Sequence, residues 1–392
     1  MSNTRDRSNG FLLKALHFAF FLTGITTVLI GQVLPILSRR LDLTDSQAGQ
    51  LFIAQFFGSF LGVFIFNYAL KKFGFVKTIV FGLIAVSIAC ILINFPSIEI
   101  CFLGFFVNGI GIGATLPSIN MLTAELNPTR QTPALNILNF FWGIGAIISQ
   151  PFTKYLGTET SVLLPTALTS LLVLLSIILI FFAAKNLSTH ETTSEPAEND
   201  PASKIWNNPI AWAIAFFNFL LVGIESGLGG WLTTYSERFP DGSTQLFAAT
   251  PVFFLFFVIG RGLAPVISRI LTDNRYISIS LLVLLAGVVT VLVAESYPIL
   301  IAGAAVLGIG TSATFPTNMA RFTKFFGASA TRNSTPIFVL GSIGGASINW
   351  LIGFTSTSFD SLRSGIFVLL LCCLLQISIQ IYLTKKTTNP SV

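Results

Sequence analysis

The sequence predicts an all-α integral membrane protein, with twelve transmembrane helices in two pseudo-symmetric six-helix bundles. Three observations carry this. Only 10% of the residues are charged against 53% hydrophobic, and the mean hydropathy is +0.80; a water-soluble chain of 392 residues cannot hide that much apolar surface. The apolar residues fall into twelve runs near the ~20 residues needed to cross a bilayer core, at about 11–37, 47–70, 77–95, 98–124, 132–154, 161–184, 209–235, 244–268, 277–296, 298–320, 334–355 and 363–384. Third, GFFVNGIGIGATLPSIN (104–120) returns as GAAVLGIGTSATFPTNM (303–319), offset by 199 residues. Gly104/Gly303, Gly109/Gly308, Gly111/Gly310, Ala114/Ala313 and Pro117/Pro316 are among the identical pairs. A Gly-rich apolar segment repeated half a chain away marks two related membrane halves, and such folds place their binding site at the interface of the repeats.

Each element follows from local residues. The runs are too long, and their connections too short, for a barrel whose strands alternate over about ten residues. MSNTRDRSNG at the start is polar and has no small-residue cleavage site after the first run, so it reads as a cytoplasmic tail. Asp45 after Leu43-Thr44 reads as the start of the second span, and Asn208-Pro209 as the start of the seventh. Short connections make neighbouring helices antiparallel. Ile144-Gly145-Ala146 in span 5 corresponds to Ile343-Gly344-Gly345 in span 11 at the same offset, and Gln150 to Asn349. The stretch 185–205 is the longest polar one, rich in Ser, Thr, Pro and acids. The expected division is therefore a bundle over 1–184, a cytoplasmic inter-bundle loop over 185–207, and a bundle over 208–392.

The net charge of +6 is topological rather than a sign of a nucleic-acid partner. With both termini cytoplasmic, 16 of the 22 Lys and Arg fall on the inner side and 5 on the outer, with Arg261 inside a span. This is the positive-inside asymmetry, and it fixes the orientation; a bacterial inner-membrane protein with both termini cytoplasmic is expected. Cys90, Cys101, Cys372 and Cys373 lie in or beside apolar runs without metal-ligand spacing, so free buried thiols and no metal or cofactor are expected. No nucleophile–base set is visible and the chain has two His, which argues against an enzyme. The Gly-x-Gly-x-Gly at 109–113 sits inside an apolar span and is a packing motif.

Uncharged polar residues concentrate on a few helices: Gln32, Gln55, Asn108, Asn120, Asn136, Asn139 and Gln150 in the first half, and Asn218, Asn318 and Asn349 in the second. In hydrocarbon each amide needs another helix, water or a ligand. Asn136, Asn139 and Trp142 are three apart and share a helical face, which can hydrogen-bond hydroxyls while an indole covers an apolar ring face. Interhelical bonding is the alternative for any single amide. Glu225 and Arg261 are the deep charges, read either as a solute-binding carboxylate with a gating or snorkelling arginine, or as a structural ion pair. Trp231 and Tyr235, four apart, suit an aromatic gate or an interfacial belt, and His17 an interfacial position.

Over nearly its whole length the chain resembles the major facilitator superfamily. That family's loop signature between spans 2 and 3 survives in Lys72, Gly74 and Lys77, with Asn67 in place of its first Gly and Lys71 in place of its Asp. LNILNFFWGIGAII (135–148), GIGATLPSIN ending at Asn120, and VGIESGLGGWLTTY (222–235) resemble spans 5, 4 and 7 of the fucose–galactose–glucose permease branch. The resemblance implies a monomeric alternating-access carrier, a symporter or uniporter for a neutral polar solute, most specifically a monosaccharide. Gln32, Gln55, Asn108, Asn120, Asn136, Asn139, Trp142, Glu225, Trp231, Asn318 and Asn349 are then expected to contact it, with Glu225, Arg261 and Tyr235 in coupling or gating. Symporters of that branch carry acids in spans 1 and 4, where this chain has Gly31 and Leu116, so proton coupling through the first half has no support. The competing expectations are efflux of amphipathic compounds and an organic-anion carrier using Arg261. The antiporter signature is missing from WGIGAIISQPF, which weakens the former.

Overall fold

The structure, a computed structural model, describes residues 2–184, 205–240, 242–245, 247–327, 330 and 333–388. The expected inter-bundle loop therefore lies outside the described residues over 185–204. Among the described residues are twelve α-helices of 13 residues or more: α1 (Ser2–Leu41), α2 (Asp45–Leu92), α3 (Ile98–Leu126), α4 (Gln131–Leu156), α5 (Leu163–Ala183), α6 (Pro209–Glu237), α7 (Ala249–Ile267), α8 (Asp273–Val293), α9 (Tyr297–Ser312), α10 (Thr314–Phe326), α11 (Thr335–Ser358) and α12 (Leu362–Thr388). No strand occurs among the described residues.

Helices and membrane crossings do not correspond one to one. The 48 residues of α2 would extend roughly 70 Å at 1.5 Å per residue, more than twice a hydrocarbon core of about 30 Å. It is interrupted at Gly74 (φ 77, ψ 175), a left-handed conformation that suits glycine, and it carries spans 2 and 3. Conversely, α9 and α10 together form one apolar stretch, Tyr297–Phe326. Among the described residues, ten helical stretches are long and apolar enough to cross a membrane by composition. The helix α4 carries Asn136, Asn139, Gln150 and Lys154 among its apolar residues.

The chain forms two compact units, Met1–Leu43 with Ala54–Glu195, and Thr44–Ile53 with Pro196–Val392. In the first, α1 packs on α3, α4 and α5. In the second, α6 packs on α11 and α12, and α9 on α7 and α8. Lipid gives helices no hydrophobic reason to associate, so close van der Waals packing at small residues holds each unit together.

The repeated glycines make the same contacts in both units. A Cβ on Gly145 of α4 would run into the Phe21 carbonyl oxygen of α1, and one on Gly344 of α11 into the Phe219 carbonyl oxygen of α6. Gly109 abuts the Gln55 carbonyl and Gly308 the Phe253 carbonyl. The internal repeat read in the sequence is thus a repeat of backbone-to-backbone contacts. The cysteines are free, with Cys90, Cys101 and Cys373 buried and Cys372 partly so.

Gly344→Ala should force α6 and α11 apart and cost about 1–3 kcal/mol, lowering the thermal midpoint of the purified protein in detergent. Gly262→Ala, where a Cβ would meet nothing within 4 Å, should leave it unchanged.

Candidate functional site

Glu225 lies midway along α6, where a carboxylate in hydrocarbon is costly and needs a polar surrounding. It is half-buried, and among the described residues it makes no hydrogen bond and no salt bridge. Burial acts on it most strongly, and the charge of Arg261 attracts it.

Arg261 is held elsewhere, for a reason the sequence supplies. Pro316 has no N–H, so the Ser312 carbonyl four residues earlier lacks its helical donor. There α9 ends and α10 begins, with Ala313 at φ −110, ψ 0. The Arg261 Nε donates to that Ser312 oxygen at 3.1 Å, and its guanidinium covers the Phe257 ring at 4.2 Å. The structural ion pair considered for Glu225 and Arg261 is not formed.

In the first unit, α4 carries the Asn136–Asn139–Trp142 face. Contacts of Gly24 with the Trp142 backbone and of Gly145 with Phe21, and a Ser149 Oγ–Ile25 carbonyl bond of 3.2 Å, fix it on α1. Asn136 is exposed and makes no hydrogen bond among the described residues. Asn139 is half-buried and donates from Nδ2 to the Leu135 carbonyl of its own helix at 2.8 Å, leaving its oxygen available. Trp142 is half-buried.

The other amides expected to contact a solute bond main-chain carbonyls, some across helices and some within one. Gln55 Nε2 donates to the Thr27 carbonyl at 3.1 Å, and Asn108 Nδ2 to the Thr26 carbonyl at 3.1 Å and to Gln55 Oε1 at 3.5 Å; both are buried. Gln32 is buried and donates to Val28 of its own helix, and half-buried Asn120 to Leu116 of its own. Asn318 has no exposed surface: its Nδ2 donates to the Ile214 carbonyl at 3.3 Å and its oxygen accepts from Arg321 Nη2. Asn349, equally buried, donates to Ser226 Oγ at 2.8 Å and to the Gly345 carbonyl at 2.7 Å. Through these amide nitrogens the residues bond helix carbonyls and a neighbouring hydroxyl, while the buried Asn108 and Asn349 oxygens have no hydrogen-bond partner.

The two residues read as an aromatic gate or belt are both enclosed. Trp231 is fully buried, its ring against Phe52 at 5.8 Å. Tyr235 is 5% exposed, its hydroxyl donating to the Val291 carbonyl at 3.5 Å and accepting from Arg363 Nε at 3.4 Å. Neither side chain stands free to close a passage.

Two buried polar clusters in the second unit escaped the sequence reading. Arg321, counted there as an inner-loop charge, is 4% exposed, donates from Nη1 to Gln380 Oε1 at 2.7 Å, and lies over Phe217 at 5.3 Å. Asp45, read as a helix start, is gripped by Arg238 through two 2.6 Å bonds and accepts from Ser356 Oγ. Asp45 and Arg238 are separated by 193 residues, so no local pattern could show the pairing.

Comparison with known proteins places this architecture. A family model described as Major Facilitator Superfamily matches residues 16–348. The chain belongs to the Major Facilitator Superfamily. It is accordingly an integral membrane transporter and not an enzyme. Among its relatives, the glucose/mannose transporter GlcP of Bacillus subtilis (strain 168) is 25% identical over 394 residues, covering 95% of each chain. A cis,cis-muconate transport protein of Acinetobacter baylyi is 24% identical, covering 60% of this chain and 61% of its own. Among solved structures, a bacterial homolog of the lysosomal transporter Spinster superposes with a TM-score of 0.82 at 14% identity, over 96% of this chain and 97% of that one. The transporter FucP superposes with 0.64 at 19% identity, over 96% and 99%. At these identities both show the fold of this superfamily member.

In a double-mutant cycle, Asp45→Ala and Arg238→Ala should each lower thermal stability in detergent. Their coupling should be roughly 1–2 kcal/mol, because one partner is half exposed.

Proposed function

We propose that this chain moves a neutral polyhydroxylated solute, a monosaccharide, across the membrane by alternating access, with both termini on the cytoplasmic side. The observation that carries the reading is Glu225: a mid-helix carboxylate with no hydrogen bond and no ion pair among the described residues. Such a group is stabilised by water or by the hydroxyls of a solute, and hydrogen bonds to a charged acceptor are worth about 1.5–3 kcal/mol. Within the first unit, the Asn136–Asn139–Trp142 face of α4 carries neutral amides and an indole, chemistry that also suits a sugar. The relative named as a glucose/mannose transporter, matched along 95% of both chains, supports the same substrate class.

An organic-anion carrier built on Arg261 is what the muconate-transporting relative would favour. Here, however, the Arg261 Nε is committed to the Ser312 carbonyl and its face to Phe257, which leaves a poor anion clamp. Glu225 is the candidate proton-coupling group.

Reconstituted in liposomes, the protein should take up at least one member of a labelled panel of glucose, mannose, galactose and fucose. Glu225→Gln should reduce that uptake about tenfold or more, the equivalent of one charged hydrogen bond. If a pH gradient drives accumulation by the wild type and still does so in Glu225→Gln, Glu225 is not the coupling group. Absence of hexose uptake with and without a gradient would overturn the monosaccharide assignment.

A further inference from the structure

We infer that α1 and α4 enclose a second ligand site, separate from Glu225, which takes a small carboxylate with a planar apolar body. A cavity of about 440 Å³ lies within the first unit, lined by Lys14, His17, Phe18, Phe21, Phe141 and Ile144. Lys14, His17, Phe18 and Phe21 follow the i, i+3, i+4, i+7 rule and form one stripe of α1, while Phe141 and Ile144 form the facing stripe of α4. The cavity adjoins the glycine contacts: Gly24 and Gly145 draw the two backbones together, and on the Lys14 side bulky rings replace them.

Two nitrogens line this cavity, an exposed ammonium and a buried imidazole nitrogen. The Lys14 ammonium forms no ion pair among the described residues. His17, expected at the interface, instead lies against Phe141 with ring centroids 5.1 Å apart, and its Nε2 is buried with no hydrogen-bond partner. A lysine near a helix end is commonly explained by snorkelling toward water. Snorkelling does not account for an orphaned imidazole nitrogen one turn further in, where an unmade hydrogen bond is costly.

The lining selects the ligand. Four of the six residues are apolar, three of them phenyl rings, so a solute with hydroxyls around its rim would leave most of them unsatisfied. An aromatic ring suits Phe18, Phe21 and Phe141, and a carboxylate suits the two nitrogens. His17 also bonds the Leu13 backbone, and an anion bound beside the Lys14 charge favours a proton on its Nε2, which then donates to the carboxylate. The site asks for charge and a flat apolar face together, which the sugar reading of Glu225 does not; either can fail alone.

The probe is benzoate, with benzyl alcohol as its uncharged counterpart, and the measurement is equilibrium dialysis of labelled benzoate against the full chain in detergent. Saturable binding of one benzoate per chain is expected. Lys14→Gln and His17→Phe should each weaken it about tenfold, the worth of one charge-assisted bond, while Lys14→Arg should retain it and benzyl alcohol should fail to displace it. Loss in Lys14→Gln with retention in Lys14→Arg, both eluting as a single species, separates a charge contact from misfolding. Non-saturable uptake, affinity unchanged in both Lys14→Gln and His17→Phe, loss in Lys14→Arg as well, or equal displacement by benzyl alcohol would each overturn the site.

Discussion

Everything in this fold depends on how closely helix backbones can approach in a solvent that does not push them together. Where α1 meets α4 and α6 meets α11, a glycine faces a main-chain carbonyl, and no room exists for even a methyl group. Those contacts set the spacing from which every other side chain takes its place. Because the same glycines recur at the same offset, the two units are built by one rule applied twice.

This is why the architecture was legible in the sequence. The repeat at 104–120 and 303–319 consists largely of the residues that set helix spacing, and apolar runs announce their own length. What the hydropathy pattern did not show was helix continuity. Gly74 connects two crossings within one residue, so spans 2 and 3 appear as a single helix, whereas Pro316 divides span 10 in two. Both effects are local backbone chemistry, which hydropathy does not register.

The candidate site was legible only where charge decided the matter. Glu225 stood out because a lone carboxylate in an apolar run has few explanations. Amides have many, and an Asn looks the same whether it meets a ligand or a neighbouring carbonyl. Asn108, Asn318 and Asn349 proved to be of the second kind. Arg321 and the Asp45–Arg238 pair were missed for the opposite reason: near helix ends a charge looks solvated, and only tertiary packing reveals that it is enclosed.

The two copies of the repeat have also diverged in one instructive respect. Pro117 sits inside an unbroken α3, while its counterpart Pro316 accompanies a break in the rod, and the loose carbonyl there is tied down by a cation from the adjacent helix. The second copy therefore contains a hinge pin that the first lacks. A tug on that guanidinium, from a solute or from a shift of α7, would slacken the joint between α9 and α10, so bending and electrostatics are mechanically linked in one half of the protein and independent in the other.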